Sequence, residues 1–260
     1  MKRMWELKQS ANLNEVDLYI YDEVERYDYD FETQSICESE TSANYFRKEL
    51  EKYPNASQIN IYINSNGGSV VEGTAIYQQL KRHNAHKTVY IDGFACSVAS
   101  VIAMAGDDII MPKNTMMMIH NMAWGIFGNA KELRKGADDL DIINSVGRQA
   151  YLMKAGEKLS EEKLIEMMDA ETWLSAEQCI ELGLADKYAE KDADMEKAKE
   201  MLRKENTSLE QHIVFRKNLA AQLRELTEIP ENPVKQEKEI EKPEEKTGSI
   251  MQMLAGFFNT

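Results

Sequence analysis

Ser97 is the residue of this chain whose surroundings best suit a nucleophile. It follows the apolar run Thr88–Ile91 and the segment Gly93–Cys96, and it precedes the small, apolar run Val98–Gly106. This pattern predicts a strand that turns into a buried helix at Ser97. Free backbone N–H groups and the dipole at a helix start can stabilise the oxyanion of an acyl transfer. Because most serines at helix starts are simply N-caps, the assignment depends on what the rest of the chain supplies.

A glycine pair follows another predicted strand. The strand Ile59–Ile63 runs into Asn64–Ser69, which contains Gly67 and Gly68, and a helical pattern follows over Val70–Leu80. Glycines at such a turn let the backbone approach a bound group closely and offer N–H donors with no side chain in the way. An ordinary strand-to-helix turn is the alternative, since a Gly-Gly pair alone is not specific.

His120 is the candidate general base. It directly follows the apolar strand pattern Met116–Ile119, and the carboxyl ends of strands in α/β sheets are where such folds place ligands. The other histidines are His83 and His86 in a polar connection and His212 near the carboxyl end. A hydrogen-bonded surface histidine is the alternative interpretation.

Two carboxylates could orient that histidine. Asp169 and Glu171 stand shortly before the apolar pair Trp173–Leu174, and Ser175 can cap the next helix. A carboxylate behind a catalytic histidine fixes its tautomer and stabilises the imidazolium. Spacing alone leaves open which carboxylate does this, and it also leaves open a solvated acidic turn.

The order of strands and helices predicts an α/β fold. Strands alternate with helices in units of roughly 30 residues, which indicates parallel βαβ crossovers. Residues 22–40 are expected to be loop with some strand. Strands are predicted at 16–21, 59–63, 88–91, 108–111 and 116–119, and helices at 41–53, 70–80, 98–106, 130–154, 160–168 and 176–182.

The helical pattern Ala130–Lys154 is unusually long. A loop that contains Gly125 and Gly128 separates it from His120. The pattern is too polar for burial on every side, so we expect this helix to project and to pack on another subunit or on an arm of the fold.

The length of the chain allows one good-sized domain with an appendage, or two small domains. The chain has 260 residues, 43% of them hydrophobic, which is enough for a sizeable core. We assign residues 1–189 to a domain that carries the candidate site and residues 190–260 to a charged extension. Within the extension, 190–226 is expected to be exposed helix, and 229–248 holds three of the five prolines among Glu and Lys, as disordered linkers do.

Composition also argues against several partners. The formal net charge of −14 disfavours nucleic acid, and no apolar run is long enough to be a membrane span or a secretory signal. The widely separated Cys37, Cys96 and Cys179 are expected to be reduced thiols, which indicates a cytoplasmic protein. No metal or cofactor is expected, since Gly67–Gly68 lacks the Lys-Ser/Thr of a phosphate loop.

Four segments, taken together, carry a resemblance. They are Tyr62-Ile63-Asn64-Ser65-x-Gly67-Gly68, Gly93-x-Ala95-x-Ser97, Met118-Ile119-His120, and Trp173-Leu174-Ser175-Ala176-Glu177 followed by Gly183-Leu184-Ala185-Asp186. In order and spacing they resemble the Clp-type serine endopeptidases of the ClpP/crotonase superfamily. The similarity extends from about residue 15 to residue 186.

The resemblance implies a role for each matching residue. Ser97 is the nucleophile and His120 the general base. The N–H groups of Gly68 and Val98 form the oxyanion hole. The acid lies two positions before the aromatic residue of the last motif, which here is Glu171.

The resemblance also implies an architecture. It is a ClpP/crotonase-like α/β core of superhelical βαβ units, from which the helix 130–154 projects. Such proteins assemble as homo-oligomeric rings, heptameric or stacked, and the long helix is the natural ring-to-ring contact. The family implies no cofactor.

A few residues depart from the usual family pattern. Glu171 stands where the acid is usually Asp, so Asp169 remains a candidate, and Asn66 replaces the usual Pro. The segment before the first strand is shorter than in ATPase-coupled members. Trp124 and the sequence Glu171-Thr172-Trp173-Leu174 resemble the phage and prophage branch. That branch contains head-maturation proteases, so the resemblance implies cleavage of capsid or scaffold proteins.

Three other functions stay open. One is a general Clp proteolytic subunit fed by an ATPase. Another is a crotonase-like acyl-coenzyme A enzyme, which needs no Ser-His pair and is therefore disfavoured by Ser97 and His120. The third is a catalytically silent assembly or scaffold subunit whose carboxyl-terminal extension is the working part.

Overall fold

The structure is a computed structural model that describes residues 6–9, 14–30, 33–191 and 193. Its strands are β1 Glu6–Gln9, β2 Glu15–Ile20, β3 Tyr27–Asp30, β4 Ser35–Glu38, β5 Gln58–Ser65, β6 His86–Cys96, β7 Asp108–Met111, β8 Met116–Ile119, β9 Thr172–Ser175 and β10 Lys187–Tyr188. Its α-helices are α1 Ala43–Leu50, α2 Val70–Arg82, α3 Val98–Ala103, α4 Ala130–Ala155, α5 Glu161–Asp169 and α6 Ala176–Glu181.

The main sheet confirms the predicted α/β fold. Strands β2, β5, β6 and β7 are parallel neighbours, and β1 and β10 extend the two edges. The 11-residue strand β6 has two partners on one side. Its first part pairs with β7 through Thr88–Tyr90, and its last part pairs with β8 through Phe94–Cys96. Strand β9 then pairs antiparallel with β8.

The core lies between one face of this sheet and the helices. In β5, Ile59, Ile61 and Ile63 are fully buried, while the residues between them are partly exposed. This alternation is typical of a strand with one face on the core. The opposite face carries stacked tyrosine rings, with Tyr62 centred 4.8 Å from Tyr19 and 5.1 Å from Tyr90.

Helix α3 is buried on all sides, as the sequence predicts, and α2 packs against it. Every residue of Val98–Ala103 is buried. The two helices approach closely at Gly73, where an added Cβ would lie 2.2 Å from Cγ2 of Val98. Gly73 therefore sets the distance between α2 and the start of α3.

The segment 22–40 is more structured than the sequence suggests. It contains a bridge between Val24 and Gly68 and the hairpin of β3 and β4. Helix α1 begins at Ala43, and the side chain of Ser42 caps it by accepting a hydrogen bond from the N–H of Tyr45.

Helix α4 agrees with its predicted bounds to within one residue. Its buried residues are few: Gly136, Asn144, Ala150, Tyr151 and Ala155. The predicted helix at 190–226 and the linker at 229–248 lie outside the described residues, apart from residues 190, 191 and 193. The division into residues 1–189 and 190–260 stays a prediction.

Within the described ranges, no helix combines the length and apolarity that crossing a membrane requires. The same residues contain no cluster of three or more metal-ligating side chains. Cys37 is exposed and Cys96 and Cys179 are buried, all as free thiols.

The contact at Gly73 generates a stability prediction. Gly73→Ala is expected to lower the free energy of unfolding by about 1–3 kcal/mol, because the stiff Val98 side chain cannot move aside without disturbing α3. Urea unfolding measures this change. Gly125→Ala is the matched control, since nothing lies within 4 Å of its added Cβ. Equal stabilities of the two variants would contradict this view of the α2–α3 contact.

Candidate active site

Ser97 is not an ordinary N-cap. It lies between β6 and α3 with φ 53° and ψ −130°, and its side chain makes no capping hydrogen bond. Its Oγ instead lies 2.8 Å from Nε2 of His120. An L-residue in such a conformation costs about 1–3 kcal/mol. The strain and the missing cap both indicate that the hydroxyl is positioned to bond to His120 rather than to cap α3.

Hydrogen bonds on both sides hold the Ser97 backbone. Its N–H donates to the carbonyl of Met118 in β8 at 2.9 Å. Its carbonyl accepts from the Ser100 N–H at 3.0 Å and from the Ser100 Oγ at 2.6 Å. Because His120 stands two positions after Met118, the strand that holds the serine backbone also delivers the histidine.

The chain after His120 is fastened at two neighbouring residues. The Asn121 side chain donates to Oδ1 of Asp169 at 2.6 Å, and the Met122 N–H donates to Oδ1 of Asn144 in α4 at 2.8 Å. Asn144 is buried. These bonds fix the half-buried His120 from its carboxyl-terminal side.

The segment after His120 packs against two glycines of α4. A Cβ on Gly147 would lie 2.3 Å from Cε of Met122, and a Cβ on Gly136 would lie 2.3 Å from Cδ1 of Ile126. The small residues let the segment lie directly against the helix. The position of His120 therefore depends on α4 as well as on the sheet.

Of the two candidate acids, Glu171 stands nearer in the strand register. The ladder of β8 and β9 pairs Met118 with Trp173 and Ile119 with Thr172. The ladder ends at this last pair, so His120 directly follows β8 and Glu171 directly precedes β9.

The structure shows what each carboxylate does in this state. Asp169 accepts the hydrogen bond from Asn121. Glu171 is exposed and has a positive φ of 49°. Within the described chain, the hydrogen bond of His120 is the one to Ser97, and neither carboxylate bonds to its ring. The geometry thus brings Ser97 and His120 into hydrogen-bond contact, but it does so for neither of the two candidate acids.

The Gly67–Gly68 turn requires glycine. Gly67 has φ 102° and Gly68 has φ 133°. Val24 runs alongside, since its N–H donates to the Gly67 carbonyl at 2.7 Å and its carbonyl accepts from the Ser69 N–H at 2.6 Å. A Cβ on Gly68 would lie 2.4 Å from the Val24 oxygen. Val24 thus hydrogen-bonds to the two residues that flank Gly68, and these bonds do not use the Gly68 N–H.

The glycine turn adjoins the start of α3. A Cβ on Gly67 would lie 2.7 Å from Cβ of Ser97 and 3.1 Å from N of Val98. Within the described chain, the N–H groups of Gly68 and Val98 form no hydrogen bond. Two backbone donors beside an activated hydroxyl can bind an oxyanion. The residues proposed from the sequence for this role therefore lie together around Ser97.

The two buried cysteines do not compete with Ser97 as nucleophiles. Burial raises the pKa of Cys179 to about 12, which keeps its thiol protonated. Cys96 precedes Ser97 but is 2% exposed.

Several residues that shape the site were missed by sequence reasoning. No local sequence pattern marks Val24, Asn144 or Tyr151, because each contacts residues that are distant in sequence. Ser100 has a weak sequence pattern, since residues three apart on a helix, such as Ser97 and Ser100, lie on the same face.

Comparison with known proteins gives a consistent result. The family model described as Clp protease matches residues 38–192. A Clp protease proteolytic subunit from Chlorella vulgaris, named ATP-dependent, is 36% identical over 145 residues, or 53% of this chain and 70% of that protein. Proteolytic subunit 1 from Streptomyces avermitilis is 30% identical over 137 residues, covering 52% of this chain and 62% of that protein. A subunit from Deinococcus radiodurans is 32% identical over 132 residues, covering 50% of this chain and 63% of that protein.

A solved structure supports the same fold. A point mutant of ClpP1 from Listeria monocytogenes superposes with a TM-score of 0.55 at 23% identity, covering 67% of this chain and 91% of that one. This likeness confirms the ClpP-like fold. All the candidate residues lie inside the matched region 38–192, whereas β1 to β3 and Val24 precede it.

The strain at Ser97 can be measured directly. Ser97→Gly and Ser97→Ala both remove the hydroxyl, but only glycine adopts the positive φ without strain. Glycine relieves the backbone strain, which is worth about 1–3 kcal/mol, but its greater freedom in the unfolded chain costs about 0.5–1 kcal/mol. We therefore expect the free energy of unfolding of Ser97→Gly to exceed that of Ser97→Ala by about 1 kcal/mol. Chemical unfolding of the two variants compares them. A more stable alanine variant would contradict the strained conformation.

Proposed function

The chain belongs to the Clp protease family, and on that basis we propose that it is a serine endopeptidase with Ser97 as nucleophile and His120 as general base. The observation that carries the proposal is the 2.8 Å contact between Ser97 Oγ and His120 Nε2 at the start of a buried helix. A crotonase-like enzyme needs no such pair, so this contact favours the peptidase.

The proposed reaction follows from the positions of these groups. Nε2 of His120 takes the Ser97 proton while Oγ attacks the peptide carbonyl, and the carbonyl oxygen becomes an oxyanion beside the N–H groups of Gly68 and Val98. When the C–N bond breaks, His120 returns the proton to the leaving amine. Water then attacks the acyl-enzyme with His120 again as base, and Ser97 regains its proton.

The two carboxylates receive different roles in this proposal. Glu171, which directly precedes β9 just as His120 directly follows β8, orients the imidazole and stabilises its charged form. Asp169 is a positioning residue, because its carboxylate holds Asn121.

For the substrate, we propose capsid or scaffold proteins of a phage or prophage. Trp124 and the sequence from Glu171 to Leu174 support this branch. The second candidate is a general proteolytic subunit fed by an ATPase, which the names of the similar proteins favour. Cleavage of a capsid precursor without ATP supports the first, and a requirement for an ATPase and ATP supports the second.

We further propose a homo-oligomeric ring, heptameric or stacked, in the cytoplasm. Exposed large apolar side chains often mark protein interfaces, and α4 with the loop before it carries many. They are Trp124, Ile126, Phe127, Leu133, Ile142, Val146 and Met153. A second copy of this chain is the occupant that the family resemblance supports. The free cysteines support a reducing compartment.

Removal of the nucleophile is the first test of this function. Ser97→Ala is expected to lower turnover about 10⁶-fold, as loss of the nucleophile does in serine proteases. Peptidase assays and labelling with a fluorophosphonate, followed by mass spectrometry, locate the reactive hydroxyl. Wild-type protein with no labelled Ser97 would support the silent scaffold instead.

The acid is tested by a pair of isosteric variants. Glu171→Gln is expected to lower turnover by up to about 10⁴-fold, because an amide cannot stabilise the imidazolium. Asp169→Asn keeps an oxygen that accepts from Asn121, so turnover should fall no more than about fivefold. Steady-state kinetics of both variants make the comparison, and the reverse order of effects would assign the acid to Asp169.

A further inference from the structure

We propose that Ser100 and Tyr151 are positioning residues that aim the Val98 N–H at the oxyanion. The proposal rests on the proposed peptidase function, because it concerns the backbone donor next to the nucleophile. It assigns a role to a buried polar pair that the reaction itself does not use.

The two side chains form a hydrogen-bonded chain that ends at Ser97. Ser100 Oγ lies 2.6 Å from the Ser97 carbonyl and 2.7 Å from the Tyr151 hydroxyl. Ser100 is fully buried and Tyr151 is 2% exposed. Tyr151 belongs to α4, and Ser100 belongs to α3, so the chain connects two helices through the core.

The direction of each hydrogen bond follows from the groups involved. A carbonyl oxygen can only accept, so the Ser100 hydroxyl donates its proton to the Ser97 carbonyl at 2.6 Å, with the Met118 carbonyl as a second, longer acceptor at 3.4 Å. That hydroxyl has no second proton, so Tyr151 donates to Ser100. Burial raises the pKa of Tyr151 far above its ordinary value, so the phenol keeps the proton that it donates.

The geometry of the peptide unit links this chain to the oxyanion hole. The Ser97 carbonyl and the Val98 N–H belong to one planar trans peptide, in which they point in opposite directions. Holding the carbonyl on the Ser100 side therefore aims the N–H at the other side. The Gly67–Gly68 turn is a close neighbour of this N–H group, since a Cβ on Gly67 would be 3.1 Å from the Val98 nitrogen.

The strain at Ser97 explains why such a hold is needed. With φ at 53° and ψ at −130°, this residue gains energy by relaxing, and a rotation of the Ser97–Val98 peptide is the simplest relaxation. That rotation would turn the Val98 N–H away from the oxyanion. The Ser100 hydroxyl and N–H both oppose it.

The test uses a probe that needs no knowledge of the substrate. When a fluorophosphonate reacts with Ser97, the Oγ–P bond forms, the P–F bond breaks, fluoride leaves and the hydroxyl proton passes to His120. The phosphoryl oxygen occupies the oxyanion hole during this step. The second-order rate constant for labelling, followed by intact mass on the full-length chain, therefore measures how well the oxyanion hole stabilises this oxygen. The final labelled fraction measures how much of the protein is folded.

Ser100→Ala is expected to slow labelling about 10- to 100-fold, part of what loss of an entire oxyanion donor costs. Tyr151→Phe leaves Ser100 able to donate and should slow labelling about fivefold. The double variant should match Ser100→Ala, because Tyr151 acts through Ser100. The midpoint of the rate against pH should stay at its wild-type value in all three, since within the described residues neither hydroxyl bonds to the imidazole of His120, whose partner is Ser97.

Thr115→Val is the matched control. It removes another buried hydroxyl that donates to a backbone carbonyl, that of Pro112 at 2.8 Å, so it should lower the melting temperature without changing the labelling rate. Unchanged rates in Ser100→Ala, with only the labelled fraction reduced, would overturn the positioning role while leaving the peptidase intact. Multiplying effects in the double variant would also overturn it.

Two outcomes remain. If Ser100→Ala fails to fold, the rate of Tyr151→Phe decides, and a wild-type rate there contradicts the proposal. If wild-type Ser97 does not react at all, the peptidase function fails and the positioning role fails with it.

Discussion

The strained backbone of Ser97 is the constraint on which the site depends. Its N–H is tied to strand β8 through Met118, and its carbonyl is tied to helix α3 through Ser100. These bonds keep the residue in a conformation that leaves its hydroxyl free of the helix and directed at His120. The energy that the strain costs must come from the packing around it. The complete burial of α3 and its close contact with α2 at Gly73 supply that packing.

The division of strand β6 between two partners brings the chemistry together. Its first part belongs to the regular parallel sheet, whereas its last part pairs with β8. Ser97 follows the end of β6 and His120 follows the end of β8, so two parallel neighbours deliver the nucleophile and the base to one edge. Strand β9 begins at the same edge and runs in the opposite direction, with Glu171 directly before it. The glycine turn after β5 completes the arrangement from the other side of Ser97.

Local patterns were enough to predict the α/β fold and the main candidate residues. Strand and helix signals placed Ser97, His120 and Gly68 at the ends of apolar strands, and parallel strands share an edge where these ends meet. The bounds of α4 were equally readable, because a long amphipathic pattern is the strongest helix signal. The family motifs then supplied the roles, which neither spacing nor composition could assign.

What the sequence could not show depends on contacts between distant residues. Ser100 and Tyr151 are 51 positions apart, and nothing in either neighbourhood indicates the other. The sequence predicts loop with some strand where the hairpin of β3 and β4 lies, because the hairpin has no buried face to produce an alternating pattern: all four residues of β4 are exposed. Spacing does not choose between Glu171 and Asp169, since their roles depend on where β9 begins and on the bond between Asp169 and Asn121.

A crystal structure after reaction with a peptide chloromethyl ketone is the most direct test of the arrangement around Ser97. We expect a hemiketal bond from Ser97 Oγ to the ketone carbon and an alkyl bond to Nε2 of His120, with chloride lost. The hemiketal oxygen should lie about 2.7–3.1 Å from the nitrogens of Gly68 and Val98. An inhibitor attached to another residue, or a hemiketal oxygen turned away from both nitrogens, would contradict this arrangement.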